Sequence, residues 1–182
     1  MDRRPLLRIT SVTSITVRAA HDNPSSTTGV IVYEIVDTKK HRDMSYYITT
    51  TIKDKWSFDE AIEKATQALK EEGFGVLTEI DVKATLKKKL DVDYYNYKIL
   101  GACNPPFAHK ALQAEDKIGV MLPCNVIVQE KTPGTIEISA VDPLASMQAI
   151  DNPALADIAQ QVKEKLQRVI QSLEQAAVST VS

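Results

Sequence analysis

The chain holds two cysteines, Cys103 and Cys124, and the first stands in GACNPPFAHKAL, directly before Asn-Pro. Asn followed by Pro reads as a helix start, with Asn104 as the cap and proline at the first helical position, where its missing N–H is no loss. Cys103 then sits one residue outside the cap, where unpaired backbone N–H groups and the helix dipole favour an anion. A thiol in that position can ionise at a lowered pKa, one route to a nucleophilic cysteine. The same amides can instead receive a carboxylate or another anionic group of a small ligand. The structural alternative is that Cys103 packs as a small hydrophobe between Leu100 and the helix, with an inert thiol. No activating base is visible beside it in sequence.

Cys124 occupies a related setting, Pro-Cys-Asn with Asn125 following, and shares its strand face with valine and leucine, which points to burial. If the two strands are neighbours, Cys124 can act as a resolving thiol for Cys103. Their separation of 21 positions is not the C-x-x-C spacing of a redox motif. Glu79 and Asp81 alternate onto one strand face, as paired carboxylates for acid/base work do. On a half-exposed sheet such carboxylates are more often solvated or paired with lysines such as Lys83 or Lys98. Glu79 is the stronger of the two, because its strand can lie near the one that delivers Cys103. The candidate binding residues are therefore Cys103, Asn104, Glu79, Cys124 and Asn125, with no catalytic role assigned. His109 with Cys103, Cys124 and Glu79 offers metal-ligand types, but none of the tight paired spacings of structural zinc, so neither metal nor cofactor is expected. No Walker A loop, dinucleotide GxGxxG, HExxH or GxSxG occurs, and Gly73-Phe74-Gly75 is a helix stop rather than a phosphate cradle.

Strands and helices must position these residues. SYYITTTIK reads as a strand. In SFDEAIEKATQALKEEG, Ser57 and Glu60 form a capping box, Phe58, Ile62, Ala65 and Leu69 recur at helical spacing, and Gly73 suits a left-handed stop. FGVLTEIDV alternates as a strand, and KATLKKKL fits a short helix with Leu86 and Leu90 inward and its lysine run in solvent. YYNYKILGAC is a strand, PPFAHKALQAE a helix, and IGVMLPCNVIVQE a strand in which Pro123 marks an edge or a bulge. KTPG turns into TIEISAV. Asp142-Pro143 and Asn152-Pro153 are cap-and-proline pairs, and Leu155, Ile158, Val162, Leu166, Val169 and Leu173 stripe a final helix over 153–177. LLRITSVTSITV and TGVIVYEIV, around DNPSSTTG, suggest a β-hairpin within an N-terminal extension, residues 1–43, which can also be read as an appended leader before a start at Met44. The fold class is α+β: one domain, 44–178, with a mixed, mostly antiparallel sheet and helices on one face.

The chain has 182 residues, 43% of them hydrophobic and 25% charged, with a formal net charge of −2, as in an ordinary globular protein. That charge argues against nucleic-acid binding through phosphate neutralisation. No apolar run approaches about 18 residues, so no membrane span is expected. Two cysteines without an export signal suggest a reducing cytoplasm.

In order along the chain, WSFDEAIEKATQALKEEGFGVLTEIDVKATLKKKL, YKILGACNPPFAHKAL, IGVMLPCNVIVQE and SAVDP resemble the bacterial and archaeal domain-of-unknown-function family 302. The resemblance spans Met44 to Ala176 and leaves 1–43 outside. It implies a compact β-α-β(4)-α fold and a homodimer. It implies no activity, and it gives no role to Cys103, Asn104, Glu79, Cys124 or Asn125, which fall within its blocks. The leading expectation is a homodimeric binding or accessory module with an anion or small-ligand site at the Cys103–Asn104 helix start. The alternatives are a thiol protein using Cys103 in redox or sulfur handling, and a structural interaction domain with no site.

Overall fold

Ser57 and Glu60 close their capping box: Glu60 N–H donates to Ser57 Oγ at 3.2 Å, and Ser57 N–H donates to the Glu60 carboxylate at 2.8 Å. They open the first helix in a computed structural model that describes residues 45–179. The hairpin expected within 1–43 lies outside the described residues. The order is β1 (Tyr47–Lys53), α1 (Phe58–Glu71), β2 (Gly75–Asp81), α2 (Val82–Leu90), β3 (Asn96–Cys103), α3 (Pro105–Ala114), a 3₁₀ turn (Asp116–Met121), β4 (Cys124–Thr132), β5 (Thr135–Val141), α4 (Pro143–Ser146) and α5 (Pro153–Ser179). This is the expected α+β architecture. The five strands form one sheet in the order β1-β5-β4-β3-β2, and all four pairings are antiparallel.

Register sorts the sheet into two unlike faces. Because side chains alternate along a strand, the cross-strand set Ile52–Ile136 and Thr50–Ile138–Val128 faces one way, joined by Leu100, Val126, Ala102 and Cys124. On that face α1 places Ala61, Ala65 and Leu69, and α5 places Val162, Leu166, Val169 and Leu173, in one continuous core. Each fully buried aliphatic side chain there contributes about 1.5–3 kcal/mol. The opposite face carries Ile80, Ile99, Ile127, Ser139 and Thr49 in one cross-strand row and Tyr97, Gln129, Glu137 and Thr51 in the next. The core residues of α1 and α5 lie on the first face.

Three helix ends are held as their sequences predict. Gly73 adopts φ 84° after α1, and Phe74 N–H donates back to Leu69 O at 2.9 Å. Asp142 caps α4 through Leu144 N–H at 2.9 Å, and Asn152 accepts from Ala154 N–H at 3.1 Å at the start of α5. Two expectations are corrected. IGVMLPCNVIVQE is not one strand: Ile118–Met121 coil into the 3₁₀ turn, Val120 is 84% exposed, and β4 starts only after Pro123. Proline has no N–H for a ladder, so the strand begins behind it, and β4 is central rather than an edge. Leu90 does not turn inward; α2 buries no residue, and Leu90 is 68% exposed. Among the described residues no helix is long and apolar enough to cross a membrane.

Candidate functional site

Cys103 ends β3 and Cys124 begins β4, and the Ala102–Cys124 pairing brings the two together. Both are free thiols and both line one crevice, with Phe74, Phe107, Leu122 and Ile158 around them. The crevice measures about 30 Å³ and its walls are almost wholly hydrocarbon. That is room for little more than one water, and a water there would lack the two to four polar partners it needs. Burial pushes the Cys103 thiol up from its ordinary range. Burial first, and then the neighbouring Cys103, push Cys124 up to about 11. Both thiols are therefore protonated near neutrality, the opposite of a poised nucleophile.

The start of α3 is poor in donors for a chemical reason. Pro105 and Pro106 fill its first two positions and have no N–H, and Ala108 N–H is spent on Asn104 O at 2.9 Å. Asn104 does not cap the helix with its side chain. It is buried, and its Nδ2 donates to Glu72 O at 3.3 Å, tying the start of α3 to the end of α1. Lys165 donates to the same carbonyl at 3.0 Å, while Arg168 grips the Glu72 carboxylate with two bonds of 2.9 Å each. The Arg168 hydrogen bonds hold the Glu72 carboxyl below its usual range, with Lys165 assisting. Asn104 thus belongs to a brace that fastens α1 to α3 and α5.

The face opposite the core carries a bowl of about 550 Å³, within the usual size range of small-molecule sites. Tyr46 and Tyr47 rim it from the β1 side, and Tyr94, Tyr95 and Tyr97 from the β3 side. Tyr94 and Tyr95 stack at 4.1 Å between ring centroids, and Tyr97 lies 6.1 Å from Tyr95. Ile127, Gln129, Glu137, Ser139 and Asn125 contribute to its lining. A hydrogen-bonded chain runs across this side: Tyr94 OH donates to Tyr95 OH at 2.9 Å, and Tyr95 OH donates to Gln129 Oε1 at 3.4 Å. Gln129 Nε2 in turn donates to Glu137 Oε1. The Tyr94 hydrogen bond is the main cause that pushes the Tyr95 phenol up to about 12. Tyr97 is raised by burial first, then by Tyr94, Tyr46 and Glu137.

Comparison with known proteins fixes the family. The model of the domain of unknown function DUF302 matches residues 48–173, more than half of the chain. The chain belongs to the DUF302 family. A solved structure described as the uncharacterized conserved protein DUF302 from Bacillus stearothermophilus is 30% identical, with a TM-score of 0.64, and covers 70% of this chain and 97% of that one. No curated protein matches the chain.

Within this DUF302 domain the five residues singled out by sequence do not converge. Cys103, Asn104 and Cys124 meet at the crevice. Asn125, one residue on, lines the bowl on the other side of the sheet. Glu79 sits on the edge strand opposite Leu100, with its carboxylate 3.7 Å from Lys98 Nζ. That places it three residues along β3 from Cys103, about 10 Å away. Asp81 caps α2 by accepting from Ala84 N–H at 2.8 Å. Among the described residues no group of three or more His, Cys, Asp or Glu side chains could hold a metal ion, and His109 is exposed. The tyrosines, Gln129 and Glu137 are the residues that sequence reasoning misses. Their one signal is the clustering of tyrosine at two strand starts, SYY and DYYNY.

Proposed function

We propose that this DUF302 domain is a binding module, not a thiol catalyst, and that its working surface is the tyrosine-rimmed bowl on the face of the sheet opposite the core. The observation that carries this reading is the contrast in room and chemistry: about 550 Å³ bordered by phenols, amides and a carboxylate, against about 30 Å³ of hydrocarbon at the cysteines. The anion site expected at Asn104 draws little support, since two prolines remove donors and the Asn104 side chain is engaged with α1. The thiol alternative is supported by the shared crevice of Cys103 and Cys124, while burial and the raised pKa of both thiols weigh against it.

Self-association is the second part of the reading. At the β2 end of the sheet Leu77 is 66% exposed, Ile80 and Val92 are also exposed, and α2 buries nothing of its own. A nine-residue helix with no buried residue gains little stability alone. A second copy that covers Leu77 and Leu90 would supply the missing packing. Light scattering should return a dimer mass for the parent and a monomer mass for Leu90→Asp; a monomeric parent removes this part of the reading.

A panel of small aromatic fragments of positive, negative and zero charge tests the binding reading by thermal shift, because a ligand of the folded state raises the melting temperature by mass action. Hits should be lost in Tyr97→Ala and kept in Asn104→Ala. No hit of any charge, or hits lost in Asn104→Ala alone, would overturn it.

A further inference from the structure

The bowl has a sign as well as a shape. Among the described residues that line it, Glu137 is the sole carboxylate, and no lysine, arginine or histidine lines it. Lys131 lies 5.9 Å from the centroid of the Tyr95 ring but is not part of the lining. One Glu137 oxygen is occupied by Gln129, which is itself held by Tyr95 and, behind it, Tyr94. This chain fixes the carboxylate's orientation from one side and leaves its second oxygen for another donor. Tyr94 and Tyr95 are stacked on each other, but five electron-rich phenol rings line the rim, and such rings attract a cation and have no such attraction for an anion. A neutral hydrocarbon would satisfy the rings but would cover the second Glu137 oxygen and the Asn125 amide without giving them partners, a costly burial.

We infer that the bowl takes a small organic ammonium cation, its charged nitrogen held between the tyrosine rings and the Glu137 carboxylate. The inference rests on the reading of the bowl as a binding surface and adds the class of the ligand. Aromatic rings serve the alkylated ammonium, which is weakly hydrated, and Glu137 balances its charge. The remaining volume admits a polar tail toward Ser139 and Asn125. Tyr97 supplies ring surface to the cation, and Gln129 is a positioning residue that acts through Glu137.

The test separates charge from shape. Choline and its uncharged isostere 3,3-dimethylbutan-1-ol have nearly the same outline, and each is titrated calorimetrically into the full chain. The cation is expected to bind at least about tenfold more tightly than the isostere, since only the cation gains the cation–π attraction and the charge of Glu137. Glu137→Gln should lose most of that difference while keeping its melting temperature, and Tyr97→Phe should retain it because the ring remains. Equal binding of the two compounds, or an unchanged preference in Glu137→Gln, overturns the ammonium assignment. In that case uncharged aromatic fragments that still require Tyr97 would leave the binding reading standing. Failure of both compounds to bind also overturns the assignment, and the absence of any fragment hit at the bowl overturns the binding reading as well.

Discussion

The crevice at Cys103 and the bowl at Tyr97 lie on the same two strands, yet their polar groups are used in opposite ways. At the crevice each polar group is spent on the fold. Asn104 holds the Glu72 carbonyl, two prolines replace amides at the start of α3, and the thiols are kept protonated by burial. At the bowl the polar groups are ordered by one another, ending at a carboxylate with an oxygen to spare. A residue type with chemical potential does not make a site; what matters is whether its neighbours have already used that potential. Predictions follow from that contrast, since changes at the crevice should cost stability and changes at the bowl should cost binding.

The largest effect is expected at Phe74, which is buried and walls the crevice. Phe74→Ala leaves a cavity and should lower stability by about 3–5 kcal/mol in denaturant titration. A loss below about 1 kcal/mol would mean that this wall is not part of the close-packed interior. Cys124→Ser places a hydroxyl among hydrocarbon and should cost about 1–3 kcal/mol. In the native parent Cys124 should resist iodoacetamide until the chain unfolds; rapid labelling at neutral pH would revive the thiol alternative. Asn104→Ala removes one hydrogen bond of the brace and should cost about 1 kcal/mol without moving ligand affinity at the bowl.

The smallest effect is a pH dependence. Tyr95 is raised to about 12 and Tyr97 is raised in the folded state, above the ordinary tyrosine value of 10.0. The fold thus favours the neutral phenols. Their contribution is complete below the unfolded value and is lost as pH rises from about 10 through the folded values. Absorbance titration of tyrosinate should show a late-ionising fraction that disappears in denaturant. All tyrosines titrating together near 10 in the native protein would remove the hydrogen-bonded chain from the account.

Much of the scaffold is legible in sequence because its signals are local. The Ser57–Glu60 box, the spacing of Leu155 to Leu173 and the stop at Gly73 each act within a few residues, and each forms as its chemistry requires. Whether Cys103 and Cys124 approach each other stays open in the sequence, because it depends on their strands being neighbours, which the Ala102–Cys124 pairing supplies. What sequence hides is the register. Tyr46 and Tyr47 come from the start of β1, Tyr97 from β3, Gln129 from β4 and Glu137 from β5, and only the pairings Tyr97–Gln129 and Gln129–Glu137 gather them. The exposed Leu90 is hidden for a related reason, because helical spacing marks an apolar face without saying whether this chain covers it.

The most direct test is a map of backbone amide chemical shifts in the isotope-labelled chain as choline is added. The shifts should gather on the face opposite the core, at Tyr47, Tyr97, Gln129, Glu137 and Ser139, and Glu137→Gln should abolish them. Shifts that gather instead at Cys103, Asn104 and Phe107, or that occur nowhere, would contradict it.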